Sequence, residues 1–124
     1  MKIFLVEDSA PIRARLAEML AAIPGTRLVG IAETAESAIR DILARRPDVV
    51  VLDLSLAGGT SGFEVLRGVC REAPEIDVYM LSNFVAEPYR SLAERLGARD
   101  FFDKSTEFDR VRRVMAQRAA AVAH

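Results

Sequence analysis

The chain has 124 residues, of which 51% are apolar and 28% charged, which excludes a disordered or fibrous chain. A formal net charge of −1 also excludes the strongly basic proteins that wrap duplex nucleic acid. We expect one domain over residues 1–124, with no separate output domain. Of the 17 basic residues, 15 are arginines and two are lysines, Lys2 and Lys104. Because the chain otherwise uses arginine for positive charge, Lys104 is a candidate functional residue.

Short apolar segments alternate along the chain with segments of helical periodicity. The predicted strands are 2–6, 27–31, 48–53, 76–81 and 99–102. The predicted helices begin with one that has Ser9 as N-cap and ends at Pro24-Gly25. The second predicted helix covers 35–46, with Thr34 as N-cap. The third runs from residue 62 or 63 to residue 72, and the fourth covers 88–97. The fifth opens with the capping-box-like sequence Thr106-Glu107-Phe108-Asp109. This βα alternation predicts an α/β fold, a parallel sheet with helices on both faces.

The cysteine and histidine content excludes several kinds of covalent cross-link, catalytic site and metal site. The single cysteine, Cys70, cannot form an intramolecular disulfide, which fits a reducing compartment. His124 is the only histidine and the last residue, which excludes Ser-His, Cys-His and multi-histidine metal sites. We find no leader segment and no apolar run long enough to span a membrane, so we expect a cytoplasmic protein.

Polar side chains stand at the carboxyl ends of four predicted strands: Glu7 and Asp8, then Asp53, Ser82 and Lys104. Ligands of open parallel sheets bind at that edge. Crowded carboxylates need a cation, and their hard oxygen ligands suit Mg²⁺, while a lysine can contact a phosphoryl oxygen. The set therefore predicts a Mg²⁺-assisted phosphoryl site in which Asp53, at the end of the central strand, is the nucleophile.

Four segments together resemble the receiver domain of two-component response regulators, and the resemblance runs from end to end of the chain. They are Leu5-Val6-Glu7-Asp8-Ser9, Val51-Leu52-Asp53-Leu54, Met80-Leu81-Ser82-Asn83 and Gly97-Ala98-Arg99-Asp100-Phe101-Phe102-Asp103-Lys104. The resemblance implies a CheY-like, flavodoxin-like (βα)5 fold with sheet order 2-1-3-4-5.

The resemblance also implies a role for each site residue. Asp53 would accept a phosphoryl group from a histidine kinase or phosphotransfer protein. Asp8, Asp53 and the backbone carbonyl of Ser55 would bind Mg²⁺ directly, and Glu7 through water. Lys104 would pair first with the acidic cluster and then with the phosphoryl group. Such a protein is a phosphoacceptor regulator rather than an enzyme acting on a separate substrate.

A conformational switch is implied as well. Ser82 would move to hydrogen-bond the phosphoryl group, and Phe101 would follow between outward and inward rotamers. The surface of helix 4, strand 5 and helix 5 would then change its contacts with a downstream protein target or with a second copy of the chain. We expect no direct binding to nucleic acid or membrane.

The chain departs from the family pattern near the site. Gly62 lies one place later than is usual, and Asn83 follows Ser82 where Ala or Gly is common. Ser105 follows Lys104 where proline is typical and the bond is cis, which leaves the isomer of the Lys104–Ser105 bond open.

A second hypothesis is a phosphorylation-independent adaptor with receiver architecture, to which Asn83 and Ser105 give some support. A haloacid-dehalogenase-type phosphohydrolase would need an acid at position 55, which is Ser55. A nucleotide-binding protein is excluded because neither GxxxxGK[ST] nor GxGxxG follows a strand.

Overall fold

The computed structural model describes residues 1–56, 61–83 and 87–122, so His124 lies outside the described residues. The strands are β1 (Lys2–Val6), β2 (Arg27–Ala32), β3 (Val49–Asp53), β4 (Asp77–Ser82) and β5 (Asp100–Asp103). The helices are α1 (Ala10–Ala21), α2 (Ala35–Arg45), α3 (Gly62–Glu72), α4 (Tyr89–Arg95) and α5 (Phe108–Val122). The predicted alternation of strands and helices is confirmed.

The five strands form one parallel sheet in the order β2-β1-β3-β4-β5. This order confirms the flavodoxin-like topology that the resemblance implied. β3 lies at the centre, and all five of its residues are buried, as expected of a parallel strand covered on both faces. Because every strand runs in the same direction, the carboxyl ends of all five meet at one edge of the sheet.

A hydrophobic cluster covers each face of the sheet. Val50 and Leu52 of β3 belong to a cluster with residues of α2, α3 and α4, and Val49 and Val51 belong to one with residues of α1 and α5. Phe101 of β5 is buried in the first cluster, and its neighbour Phe102 is buried in the second. Successive strand side chains point to opposite faces, so β5 contributes one aromatic ring to each core.

Serine and threonine side chains begin two of the helices. The Thr34 hydroxyl accepts a hydrogen bond from the Ser37 backbone N–H, and the Ser61 hydroxyl accepts one from Phe63, which satisfies amides at the starts of α2 and α3. Ser9 occupies the predicted N-cap position of α1, but its side chain makes no capping hydrogen bond.

The start of α5 differs from the sequence-based expectation. The helix begins at Phe108, and the Asp109 carboxylate pairs with Arg112 at 2.9 Å and Arg113 at 3.3 Å. Instead, Glu107 Oε1 accepts a hydrogen bond from the backbone N–H of Asp103 at 2.9 Å. The acidic side chain that turns back toward the preceding strand is therefore Glu107, two residues before the acid that the capping-box pattern indicated.

Both edge strands give a backbone carbonyl to an arginine. Arg45 of α2 donates from Nη1 to the Val29 carbonyl oxygen of β2 at 2.9 Å. Arg90 of α4 donates from Nη1 to the Phe101 carbonyl oxygen of β5 at 3.2 Å. Among the described residues, we find no helix with both the length and the apolar character needed to cross a membrane.

Candidate functional site

The carboxyl edge of the sheet brings together the polar residues that the sequence singled out. Glu7 and Asp8 follow β1, Asp53 ends β3, Ser82 ends β4 and Lys104 follows β5. β1, β3, β4 and β5 are consecutive neighbours in the sheet, so their ends form a continuous row.

The edge strand β2 adds little to this row. It ends at Ala32, and the carboxylate that follows it, Glu33, has a side chain that is 57% exposed. The site is therefore built from the four strands on the other side of the β1–β2 pairing.

Lys104 lies between two buried carboxylates. Its Nζ atom is 2.6 Å from Oε1 of Glu7 and 3.2 Å from Oδ2 of Asp53. The Glu7 side chain is fully buried, and those of Asp53 and Lys104 are 4% and 8% exposed. One ammonium thus faces two acidic side chains in surroundings that water barely reaches, which strengthens its attraction to an ionised carboxylate.

The electrostatics of this group favour a protonated Glu7 in the absence of a further cation. Burial, together with the hydrogen bond and charge of neighbouring Asp53, raises the pKa of Glu7 to about 8, although Lys104 acts in the opposite direction. Burial lowers the pKa of Lys104, but its contacts with Glu7 and Asp53 outweigh that effect, so its pKa is above the ordinary value. Lys104 is therefore charged at neutral pH.

The carboxylates fit a small, hard cation. Oxygens of Glu7, Asp8 and Asp53 all lie within 4.8 Å of one another, and Asp8 is exposed while the other two are buried. Glu7 Oε2 is buried and has no hydrogen-bond donor among the described residues. An unsatisfied buried carboxylate oxygen beside two other carboxylates is the donor set that Mg²⁺ takes, with room on the Asp8 side for its waters.

The chain after β3 folds back over Asp53. The Ser55 N–H donates to Asp53 Oδ1 at 3.4 Å, and Ser55 pairs with Ser61 in an isolated antiparallel bridge. The Gly62 N–H then donates to the Leu54 carbonyl oxygen at 2.6 Å. The backbone of Ser55 therefore lies directly beside the Asp53 carboxylate.

Gly62 has a role at the site that its position in the sequence did not indicate. A Cβ atom at this position would lie 2.2 Å from the Asp53 carbonyl oxygen and 2.9 Å from Leu54 Cα. The start of α3 can approach the end of β3 this closely only because residue 62 has no side chain. The signal was present as a glycine in the first turn of a helix, where it weakens helix formation.

Arg13 of α1 also lies at the site without having been predicted. Its Nη1 donates to the carbonyl oxygen of Glu7 at 3.2 Å and pairs with Glu33 at 3.0 Å. It links the loop that carries the acidic pair to the loop after β2. No motif marks this arginine, because its role depends on two loops that are distant in sequence.

Ser82 and Phe101, the two residues to which the resemblance assigns a switch, are both buried. Ser82 is 2% exposed, and its carbonyl oxygen accepts the N–H of Lys104 at 2.9 Å. Phe101 is 3% exposed, which is the inward position, and the Arg90 guanidinium carbon lies 5.3 Å from the centre of its ring. Asn83 is exposed beside Ser82, and the Lys104–Ser105 bond is trans.

A comparison with known protein families gives one match over most of the chain. The model of the response regulator receiver domain matches residues 3–116. The chain belongs to this family. The four motifs that suggested the resemblance all lie within the matched residues, so the predicted membership is confirmed.

Curated relatives of this receiver domain are longer proteins. A protein-glutamate methylesterase/protein-glutamine glutaminase of Carboxydothermus hydrogenoformans is 37% identical over 112 residues, which are 89% of this chain and 32% of that protein. The response regulator GacA of Pseudomonas syringae is 29% identical over 84% of this chain and 48% of its own length. The receiver domain thus spans between about a third and a half of these relatives.

Solved structures agree with the fold. The response regulator domain of Thermotoga maritima CheB superimposes with a TM-score of 0.84 at 26% identity, covering 98% of this chain and 94% of that one. The receiver domain of NtrX from Brucella abortus gives a TM-score of 0.79 at 34% identity, covering 94% of this chain and 96% of that one. The fold of this chain is thus similar to that of a response regulator domain and of a receiver domain, each over nearly its whole length.

Proposed function

We propose that this receiver domain is a phosphorylation-activated switch in which Asp53 accepts a phosphoryl group from a histidine kinase or phosphotransfer protein. The observation that carries the proposal is the position of Asp53. It ends the central strand with its carboxylate 3.2 Å from the Lys104 ammonium and within 4.8 Å of the oxygens of Glu7 and Asp8. A nucleophile, a fixed cation and a set of metal ligands are the parts that phosphoryl transfer requires.

The proposed transfer forms a bond between one Asp53 carboxylate oxygen and phosphorus. The bond between phosphorus and the donor's nitrogen or oxygen breaks, and the donor atom keeps the electron pair. Lys104 exchanges its contact with the Asp53 carboxylate for one with a phosphoryl oxygen, so that its charge offsets the charge that arrives. Each chain takes up one group, which distinguishes this regulator from an enzyme that turns over a separate substrate.

Mg²⁺ is the proposed cofactor. Asp8, Asp53 and the backbone carbonyl of Ser55 would hold it directly, and Glu7 would act through a bound water. When bound, Mg²⁺ neutralises charge on the carboxylates and on the phosphoryl oxygens. The unsatisfied Oε2 of Glu7 supports this arrangement, because a metal-bound water can donate the hydrogen bond that the described residues do not provide.

The proposed response runs from Ser82 to Phe101. Ser82 hydrogen-bonds a phosphoryl oxygen, and this shifts the balance between conformers of Phe101 and of α4, to which Arg90 connects it. A cavity of about 560 Å³ opens on the surface of α4, β5 and α5, lined in part by Arg90, Phe101 and Val114. A downstream protein, or a second copy of the chain, would bind on that surface.

The test is incubation of the chain with Mg²⁺ and acetyl phosphate, followed by intact-mass measurement. We expect one phosphoryl group on the wild-type chain, none on Asp53→Asn, and none when Mg²⁺ is removed with a chelator. Sizing with and without beryllofluoride, which mimics the phosphoryl group, then tests dimer formation. A wild-type chain that gains no adduct would favour the phosphorylation-independent adaptor instead.

A further inference from the structure

The backbone on both sides of Lys104 is held by side-chain hydrogen bonds that no motif predicts. Asp103 Oδ1 accepts from the Ser105 N–H at 2.8 Å and from the Ser105 hydroxyl at 2.6 Å. The Asp103 N–H in turn donates to Glu107 Oε1 at 2.9 Å. Asp103 therefore fixes the residue after Lys104 through its side chain, and its own backbone is fixed by the first residues leading into α5.

Backbone hydrogen bonds complete the frame around Lys104. Its N–H donates to the Ser82 carbonyl oxygen at 2.9 Å, and the Glu107 N–H donates to the Asp103 carbonyl oxygen at 2.9 Å. The second Glu107 carboxylate oxygen pairs with Arg110 at 3.3 Å. The loop between β5 and α5 is thus restrained at both ends, although proline is absent at position 105.

The Asp103 carboxylate is ionised in this arrangement. Hydrogen bonds from the side chain and backbone of Ser105 hold the pKa of Asp103 below its ordinary value, although burial acts in the opposite direction, and Thr106 adds to the lowering. The frame is therefore complete at neutral pH. Hydrogen bonds to an ionised acceptor are also stronger than those between neutral groups.

We propose that Asp103, with Ser105 and Glu107 as its partners, is a positioning residue that holds the Lys104 ammonium between Glu7 and Asp53. The inference rests on the proposed phosphoryl transfer to Asp53, for which it assigns the group that fixes the cation. Asp103 touches neither donor nor metal, and it acts only through Lys104. A lysine stem has many rotamers, so restraint of its backbone decides how often the ammonium meets the carboxylates.

The test combines Asp103→Ala with Lys104→Met in a double-mutant cycle. The measured quantity is the rate constant of Asp53 phosphorylation by acetyl phosphate at saturating Mg²⁺. We expect Asp103→Ala to lower this rate constant on the order of tenfold, because small displacements of a charged group are costly in transfer reactions. The Mg²⁺ dissociation constant should stay within about twofold, since Asp103 contributes no metal ligand.

The double variant distinguishes an effect of Asp103 that acts through Lys104 from an independent effect on the phosphorylation rate. If Asp103 acts through Lys104, Asp103→Ala has no further effect on the rate once Lys104 is methionine. If the two reductions multiply, the residues act independently and the inference is wrong. It is also wrong if Asp103→Ala alone phosphorylates at the wild-type rate.

Further variants guard against loss of folding. Asp103→Asn keeps an acceptor oxygen for the Ser105 N–H and should stay within about threefold of the wild-type rate. Ser105→Ala removes only the hydroxyl donor to Asp103 and should lower the rate less than Asp103→Ala does. Asp109→Ala is the matched control, because this exposed carboxylate pairs only with Arg112 and Arg113 among the described residues. A wild-type chain that takes up no phosphoryl group would count against the proposed function itself, a result distinct from any pattern among these variants.

Discussion

The ammonium of Lys104 lies closer to Glu7 than to Asp53, at 2.6 Å against 3.2 Å. The cation expected to meet the phosphoryl group therefore lies closest to the acidic side chain that is not phosphorylated. Glu7 holds Lys104 at the site while Asp53 keeps a second, longer contact. Exchange of the Asp53 contact for a phosphoryl oxygen does not require Lys104 to leave Glu7.

Replacement of Glu7 by glutamine should flatten the pH dependence of stability in the Mg²⁺-free protein. The pKa of Glu7 is about 8 in the folded chain, against 4.5 as its ordinary value. The folded state therefore binds the proton more tightly, and the resulting stabilisation is full below pH 4.5 and lost as the pH rises through about 8. Glu7→Gln removes this term, so its free energy of unfolding relative to wild type should rise by up to about 3.5 kcal/mol between pH 5 and pH 8.

Urea denaturation in the presence of a chelator measures this difference. Asp109→Asn is the control, because that carboxylate is exposed on α5 and should leave the wild-type profile unchanged. Parallel pH profiles for wild type and Glu7→Gln would contradict the buried, protonated Glu7.

Asp8→Asn should weaken Mg²⁺ binding with little change in stability. Asp8 is exposed, so its charge costs little in the folded chain, yet its oxygen lies within 4.8 Å of those of Glu7 and Asp53. We expect the dissociation constant to rise about tenfold or more, because Mg²⁺ depends on few protein carboxylates. Calorimetric titration measures it, with Asp41→Asn, a partly exposed carboxylate on α2, as control. Equal affinity of Asp8→Asn and wild type would remove Asp8 from the metal site.

Gly62→Ala should destabilise the fold and slow phosphorylation together. The added Cβ would meet the Asp53 carbonyl oxygen at 2.2 Å and Leu54 Cα at 2.9 Å, both backbone atoms that cannot rotate away. We expect the free energy of unfolding to fall by about 2 kcal/mol or more, as at other overpacked positions. Thermal or urea unfolding gives the stability, and intact mass gives the phosphorylation rate.

Gly68→Ala in the same helix is the matched control for this substitution. Its Cβ would lie 3.3 Å from Ile39 Cδ1, the mobile end of a flexible side chain. Alanine favours helix by about 1 kcal/mol over glycine, so stability should be unchanged or higher. A similar loss at both positions would mean that the contact with Asp53 is not the cause.

Cys70 should react slowly with thiol reagents in the folded chain. Burial raises the pKa of the Cys70 thiol, and the thiolate is the reactive form. We expect a colorimetric disulfide reagent at pH 8 to react at least about tenfold faster in denaturing urea than with the native protein. Equal rates in the two conditions would show an accessible thiol on α3.

The fold could be predicted from sequence because its signals are local. The buried run from Val49 to Leu52 marks the central strand, and Thr34 marks the start of α2, each within a few residues of chain. Membership of Glu7, Asp53 and Lys104 in one site followed from a single rule about where parallel strands end.

The remaining site features depend on distances that only the folded chain sets. The approach of Gly62 to Asp53 and the bridge of Arg13 to Glu33 each join segments that are apart in sequence. The capping-box prediction was wrong at α5 because the Asp109 carboxylate forms ion pairs with arginines of its own helix. Glu107 instead accepts the hydrogen bond from the Asp103 backbone N–H. A four-residue sequence pattern cannot predict such contacts, because the competing side chains lie outside the pattern.

The arginines on the two edge strands bear on how this domain can assemble. An edge strand with unpaired carbonyls is a template on which another chain can add a strand. Arg45 already occupies the Val29 carbonyl oxygen of β2, and Arg90 occupies that of Phe101 in β5. A chain that extended the sheet at either carbonyl would first have to displace a guanidinium, which favours recognition through helix surfaces and disfavours open-ended β-aggregation of this receiver domain.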